Sequence, residues 1–565
     1  MQLNIKYALA IFLLCGFNIN LISSEINPQY SATITRDIFG VPHVHGATDA
    51  DAAFGLAYAQ ADDDITNILT TIDLARAGSG LKNGRDGAVT DYLIKALGIR
   101  ELVEERYEED LSQEVQAVLK GFVAGLNYWM SLNLDRNIKD YYPVNEIDLV
   151  SSFAIQGLFF SGIDGAIKDL MDTPKEVSAA ELDKGGESLQ VASLVAGSNA
   201  FALNSNKTTD GKTRLIINSH QPLDGPVAWY EAHISSDEGW NMMGGLFPGA
   251  PFVFVGFNQN LGWGMTVNGP DLTDAFKLKI NPDNENQYLL DGKWEDFNIK
   301  NIKLPVKIFG PIRWTFNREA KFSKHGLVLE TDSGSYSLKF AGMKEIRQAD
   351  QWFAMNKARN KEEWLEAMKM RAITSFNAVY ADKEDNIMLL HNTAGPIRNE
   401  AYDWALPVDG TNSELIWDEI TPFNEIPLLV NPKSGWIVSA NQDPFRASAI
   451  ADNLKRSDYS PTLGIETKMT NRAYRVIEIF DNDKKFDEKD LLDAKFDNEY
   501  SKESRSVKYL KNILETEYED EELKQAQSVL NAWDLKTDNN NRSAALGVCV
   551  LQEEWISFMS RIVAP

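Results

Sequence analysis

Apolar and polar residues alternate in strand fashion through residues 30–46, YSATITRDIFGVPHVHG, and the run ends at a Gly/Pro turn. Asp49–Leu74 is Ala-rich with helical spacing of its apolar positions, and Gln113–Leu132 repeats that spacing, so both predict helices. Ile147–Ile167 is apolar and predicts a third. The character changes at residues 172–197. Asp172-Thr173-Pro174-Lys175-Glu176 opens a charged stretch that reaches Gly185-Gly186 and reads as an exposed linker. Beyond it, short apolar or β-branched runs between turn residues predict strands at Phe201–Leu203, Arg214–Asn218, Ala228–Ile234, Phe252–Phe257 and Phe276–Ile280, with more strand signals in Arg313–Phe340. Lys361–Met370 predicts a helix, Val379–Leu390 a strand pair around the turn Lys383–Asn386, and Ile465–Trp533 a mostly helical region. There is no internal repeat and no low-complexity segment.

With 565 residues, 44% of them hydrophobic, the chain can bury a large core, either as several domains or as one interwoven unit. A formal net charge of −26 repels nucleic acid and anionic membrane, which removes both from the expected partners. The N-terminus has the form of a secretory signal over residues 1–24. Lys6 precedes the short apolar run Tyr7–Phe17, and Ile22-Ser23-Ser24 offers a cleavage site before Glu25. The run is shorter than the ~20 residues a membrane span needs, and bulky Leu14 before Cys15 speaks against a lipoprotein. A periplasmic or secreted protein is expected. Its one remaining cysteine, Cys549, leaves no internal disulfide, and the apolar run Ala544–Leu551 predicts that this thiol is buried.

The chemistry concentrates at Gly197-Ser198-Asn199, which follows the linker and opens a strand. A nucleophilic serine usually draws on a histidine base with an acid behind it. This chain has six histidines and no Gly-x-Ser-x-Gly elbow, so an ordinary serine hydrolase is poorly supported. Five further segments stand out. They are Arg36-Asp37-Ile38-Phe39-Gly40-Val41-Pro42-His43, the helix Gly55–Asp63 (GLAYAQADD), the loop Gly256–Thr266 (GFNQNLGWGMT), Asn377–Asp382 (NAVYAD) with Asn386-Ile387, and Asn431–Trp436 (NPKSGW) with Ser439-Ala440-Asn441. Together with the serine, and in this order, they resemble the penicillin acylase family of N-terminal nucleophile hydrolases, which includes penicillin, cephalosporin and acyl-homoserine-lactone acylases. The resemblance runs from about Ile34 to about Trp555.

The resemblance implies an α+β fold, the four-layer αββα sandwich of that class. It implies a first subunit over 25–171, a spacer over 172–197 and a second subunit over 198–565, paired as a heterodimer cut from one precursor. Ser198 would attack the Gly197 carbonyl, water would release the ester, and the freed α-amine would serve as base. Such an amine has an unperturbed pKa near ~8, so no histidine is required. Gly197 suits the step because it does not hinder attack and tolerates the backbone conformation needed. The family pattern assigns the oxyanion donors to the Val267 N–H and the Asn377 side-chain amide. It gives His220 the task of positioning the Ser198 amine, and Arg398 that of supporting Asn377. The substrate would be a small N-acyl compound, such as an acyl-homoserine lactone or a β-lactam side chain, with Phe159, Phe160, Phe252 and Phe254 lining an acyl pocket.

No cofactor is required for this chemistry. Asp271, Thr273 and Asp274 have the spacing with which some relatives hold structural Ca²⁺, with Asp164 as a loose further candidate; a solvated acidic turn is the alternative. His43-x-His45 lacks the partners to complete a zinc site. Family members usually continue past the point matching Trp555, whereas this chain stops at Pro565. The C-terminal part is therefore expected to be incomplete, or the fold to close differently, and an inactive secreted acyl-ligand binder is the competing reading.

Overall fold

The computed structural model describes residues 29–135, 137–160, 162–171 and 197–551. The signal at 1–24 lies outside them, as does all of the spacer except Gly197, and so do the side chains of Phe159 and Asp164.

The Ser198–Leu203 strand runs through the middle of a three-stranded sheet, antiparallel to Arg214–Ser219 on one side and Trp436–Ser439 on the other. Both of its faces are covered, which explains why its sequence is apolar rather than alternating. Ala200 and Ala202 pack against Val379, Ala381, Ile387 and Leu389 of a second, nine-stranded sheet. Phe201 and Leu203 point the other way, onto Val476 and Phe480 of the helix Asn471–Phe480 and Leu491 of the helix Glu488–Lys495. Small residues thus face the neighbouring sheet and bulky ones the helices.

The nine-stranded sheet joins strands from before and after the spacer. Its order is Ala32–Arg36, Pro42–Gly46, Tyr230–Ser236, Asn241–Leu246, Val255–Phe257, Leu261–Thr266, Ser375–Asp382, Ile387–Thr393 and Leu428–Val430. Every neighbouring pair is antiparallel except Pro42–Gly46 with Tyr230–Ser236, where the segment before the spacer meets the segment after it. The helices Asp49–Ala75, Gln113–Leu132, Glu146–Phe159, Gln348–Lys357 and Lys361–Met368 share the main apolar core with this sheet. Separately, Asn298–Phe309 and Ile312–Ser323 form a long hairpin in a six-stranded sheet.

The predicted helix Gln113–Leu132 forms with those bounds. The predicted helix over Ile147–Ile167 divides into Glu146–Phe159 and Ile163–Met171, with Gly162 at φ 78° between them. Arg85–Leu97 and Ile99–Asp110 are helices where the pattern gives no prediction; in the second the apolar positions are sparse among charges. Cys549 is exposed, which corrects its expected burial. Ala544 and Leu551 turn inward onto Leu530 and Trp533, and the cysteine lies off that face. Among the described residues no helix is long and apolar enough to cross a membrane.

The helices Asp49–Ala75 and Gln113–Leu132 meet backbone to backbone. A Cβ at Gly125 would stand 2.1 Å from the Phe54 carbonyl oxygen, and one at Gly121 would stand 2.2 Å from that of Ala50. Gly125→Ala is therefore expected to destabilise the protein by about 1–3 kcal/mol through overpacking. Lys120→Ala, on the exposed face of the same helix, is expected to stay within about 0.5 kcal/mol of the parent. Thermal or denaturant melts of the two variants beside the parent chain check this.

Candidate active site

Ser198 is only 2% exposed. In the continuous chain its Oγ donates to the Gly197 carbonyl oxygen at 2.7 Å, and the His220 backbone N–H donates to the same oxygen at 2.8 Å. The hydroxyl therefore lies against the peptide bond it is expected to break. Gly197 is not in the left-handed region. What the site requires of it is small size, because a Cβ there would meet Arg472 Nη2 at 2.6 Å and His220 Nδ1 at 3.1 Å.

One amide organises the surroundings. Asn441 Oδ1 accepts the Ser198 N–H at 2.7 Å and Arg472 Nη2 at 2.8 Å, while Asn441 Nδ2 donates to the Val267 carbonyl at 2.7 Å. Asn441 has φ 66°, a conformation that asparagine tolerates better than most residues. Arg472 also donates through Nη1 to the Ser198 carbonyl at 2.7 Å and to Asn199 Oδ1 at 2.5 Å. Burial lowers its pKa to about 10, so it still carries its charge at neutral pH. Burial and the Arg472 charge lower the His220 pKa as well, which favours a neutral ring.

Asn377 pairs in register with Thr266, the residue before Val267, and is 1% exposed. Its Oδ1 lies 2.8 Å from His391 Nδ1, and its Nδ2 is buried without a hydrogen-bond partner. The preceding residue, Phe376, has φ 116°, a strained backbone for a bulky side chain. Its N–H donates to Asn268 Oδ1 at 2.9 Å, and its ring packs on Phe160 with centroids 4.7 Å apart.

Ser198 and Val267 line one cavity of about 60 Å³ with Phe153, Phe160, Trp229, Phe247, Phe254, Met265, Trp352 and Phe376. Of the expected acyl-pocket residues, Phe160 and Phe254 are there. Phe252 instead belongs to the core, against Phe153, Trp240 and Phe353. An apolar void of about 150 Å³ takes a benzene ring. A ligand of that size therefore enters this cavity only if side chains move.

Arg398 departs from its expected role. Its Nε lies 2.8 Å from Asp274 Oδ2, its Nη2 lies 3.5 Å from Asp271 Oδ1, and its Nη1 donates to the Thr462 carbonyl at 3.0 Å; none of these partners is Asn377. Trp417 Nε1 also donates to Asp274 Oδ2, at 2.6 Å. Burial pushes the Asp274 pKa up to about 6 and raises that of Asp271. Thr273 lies opposite Phe340 in the strand register. The guanidinium stands between the two carboxylates, where calcium was expected, so these residues do not fit the ion in this arrangement. Among the described residues no other acidic or histidine cluster has the form of a metal site.

Arg472, Asn268, His391 and Glu466 escape sequence reasoning. Folding brings Arg472 onto Ser198, and it brings Asn268, His391 and Glu466 together around Asn377 and the residues beside it. Asn441 stands in a quoted motif, but nothing local shows that it holds the nucleophile.

Comparison with known proteins places this geometry. An acyl-homoserine lactone acylase PvdQ from Pseudomonas fluorescens is 23% identical over 450 residues, which are 72% of this chain and 57% of the relative. The PvdQ of Pseudomonas syringae pv. tomato is also 23% identical, over 90% of this chain and 72% of the relative. The chain thus spans a little over half to under three quarters of these relatives' lengths. A thermostable penicillin G acylase from Alcaligenes faecalis superposes with a TM-score of 0.49 at 24% identity, covering 61% of this chain and 60% of that one. The penicillin amidase family model matches residues 31–564. That match takes in Ser198, Asn377, Asn441 and Arg472 alike, and the chain belongs to the penicillin amidase family.

Proposed function

We propose that the chain is the precursor of a self-processing acylase that hydrolyses the amide bond of small N-acyl compounds through an acyl ester on Ser198. The observation that carries this reading is the buried Ser198 hydroxyl, 2.7 Å from the Gly197 carbonyl oxygen. In the processing step Oγ attacks the Gly197 carbonyl carbon and the C–N bond breaks. The nitrogen leaves as the Ser198 α-amine, taking up the hydroxyl proton. Water then hydrolyses the ester and frees the Gly197 carboxylate.

The new amine inherits the contact with Asn441 Oδ1, and the nearby Arg472 charge disfavours its protonated form. It is therefore available as a base at neutral pH. It takes the Oγ proton as Oγ attacks the substrate carbonyl, and returns it to the departing amine. The Val267 N–H and Asn377 Nδ2 receive the oxyanion, and the unpartnered state of Nδ2 in the precursor supports that role. Water then releases the acid by the same route.

The aromatic cavity suits an acyl chain. The curated relatives are named acyl-homoserine lactone acylases, which favours those lactones over β-lactam side chains as substrates. The two halves would remain together as a heterodimer because strands from both build the nine-stranded sheet. The packing order of helices, large sheet, small sheet and helices is read as the four-layer sandwich, and the leader as export to the periplasm or beyond. No metal is assigned, since Arg398 supplies the cation for Asp271 and Asp274.

Ser198→Ala should remain one uncut polypeptide and release no amine, while the parent chain runs as two bands whose larger member begins Ser-Asn-Ala-Phe. An intact parent chain that binds acyl compounds without turnover would instead favour the inactive-binder reading. Asn377→Ala should still be cut in large part but lose about 10²–10³ in kcat, roughly 2.7–4 kcal/mol, as the loss of one oxyanion donor implies.

Arg398→Met leaves Asp274 buried and unpaired, and should cost about 3–5 kcal/mol of stability in a denaturant melt. Added calcium should leave the Tm of the parent chain unchanged; a rise would restore the metal site.

A further inference from the structure

An oxyanion donor made from a side-chain amide has a weakness. Its two ends are nearly the same shape, but one donates and the other, the carbonyl oxygen, would repel the developing charge. Something must decide which end faces the reacting carbonyl. We propose that His391 is the positioning residue that does so: its Nδ1–H holds Asn377 Oδ1 and thereby leaves Asn377 Nδ2 aimed at the oxyanion. The inference rests on reading Asn377 as that donor.

His391 stands on the Ile387–Thr393 strand as the direct cross-strand partner of Asn377, wholly buried, with Nδ1 2.8 Å from Asn377 Oδ1. A competing arrangement would leave Nδ1 bare, accepting from Asn268 Nδ2 at 3.4 Å. Asn268 Nδ2 has a second hydrogen to give, but it reaches Nδ1 only at that long distance, and its better contact lies elsewhere. Its Nδ2 donates to the Asn392 carbonyl at 3.0 Å, and its Oδ1 accepts the Phe376 N–H at 2.9 Å. The shorter and better contact is therefore the one to Asn377.

The other side of the ring agrees. His391 Nε2 faces Glu466 Oε2 at 4.0 Å, and both atoms are buried without a partner. Glu466 Oε1 accepts the Gly269 N–H at 2.9 Å. If the ring proton is on Nδ1, Nε2 is an acceptor, and a proton on Glu466 Oε2 gives it a donor to face. Burial raises the Glu466 pKa, toward the neutral acid, while burial and the Arg456 charge hold the His391 pKa at about 3, which keeps the ring neutral at neutral pH. Glu466 thus faces the far side of the ring without bonding to it, and the His391–Asn377 contact leaves Asn377 Nδ2 as the free N–H.

Two measurements test this, and the first does not require turnover. Solid-state ¹⁵N NMR of histidine-labelled protein, prepared as the uncut Ser198→Ala chain, reads the tautomer of each of the six rings. The His391 signal is assigned by its loss in His391→Asn. A neutral ring protonated on Nδ1 is expected; an Nε2-protonated or charged ring would overturn the proposal, whether or not the protein is an acylase.

The second measurement uses the processed enzyme. His391→Leu should lower kcat roughly 100-fold with KM little changed, the size of effect that misplacing a catalytic group produces. His391→Asn, which can present an amide N–H where Nδ1 stood, should recover part of the loss. In an Asn377→Ala background His391→Leu should cost nothing more, and a full additional loss there would refute action through Asn377. If the parent chain neither cuts itself nor hydrolyses amides, the acylase reading fails, and the ring tautomer still decides the inference.

Discussion

The hydrogen bond from the Ser198 N–H to Asn441 Oδ1 is the contact on which the rest of the site depends. It fixes the nitrogen that processing would convert into a base. The same Asn441 side chain ties that nitrogen to the Val267 carbonyl, and so to the loop expected to supply an oxyanion donor. Asn441 can do this because it directly follows the Trp436–Ser439 strand and Ala440, and that strand pairs with Ser198–Leu203. Ser198, its nitrogen and the Val267 loop are therefore placed by one sheet and one amide.

Such a site works against stability. A buried donor without a partner, as Asn377 Nδ2 is, costs about 1–3 kcal/mol. A bulky residue in a sparsely populated backbone region, as Phe376 is, costs a similar amount. The surroundings over-determine both. Phe376 is held by Asn268 and by the Phe160 ring, and Asn377 stands on an interior strand of the nine-stranded sheet, paired on both sides. The close fit of Ala200 and Ala202 against that sheet gives the nucleophile strand little freedom to relax.

Two arginines divide the electrostatic work. Arg472, half-buried, makes its hydrogen bonds to neutral oxygens of Ser198, Asn199 and Asn441, so its charge lies against Ser198. Arg398 spends its charge on Asp271 and Asp274 and braces the chain beyond the oxyanion loop. The two arginines are thus not interchangeable, although sequence offers little to tell an arginine that bonds neutral oxygens from one that neutralises a carboxylate pair.

Local pattern was enough to read the long amphipathic helix Gln113–Leu132, the change to strands after residue 197, and the mixed α+β class, because periodicity and turn residues act over a few positions. The order of motifs along the chain pointed to the family for a related reason: each is a short segment, legible without knowing what it packs against. What folding alone decided are relations between distant residues. These are the pairing of Asn441 with Ser198, the capture of Arg398 by Asp274, the exposure of Cys549, and the facing of His391 and Asn377 across two strands. Each depends on strand register or on which face of an element turns inward, and neither is encoded within the few residues that carry the chemistry.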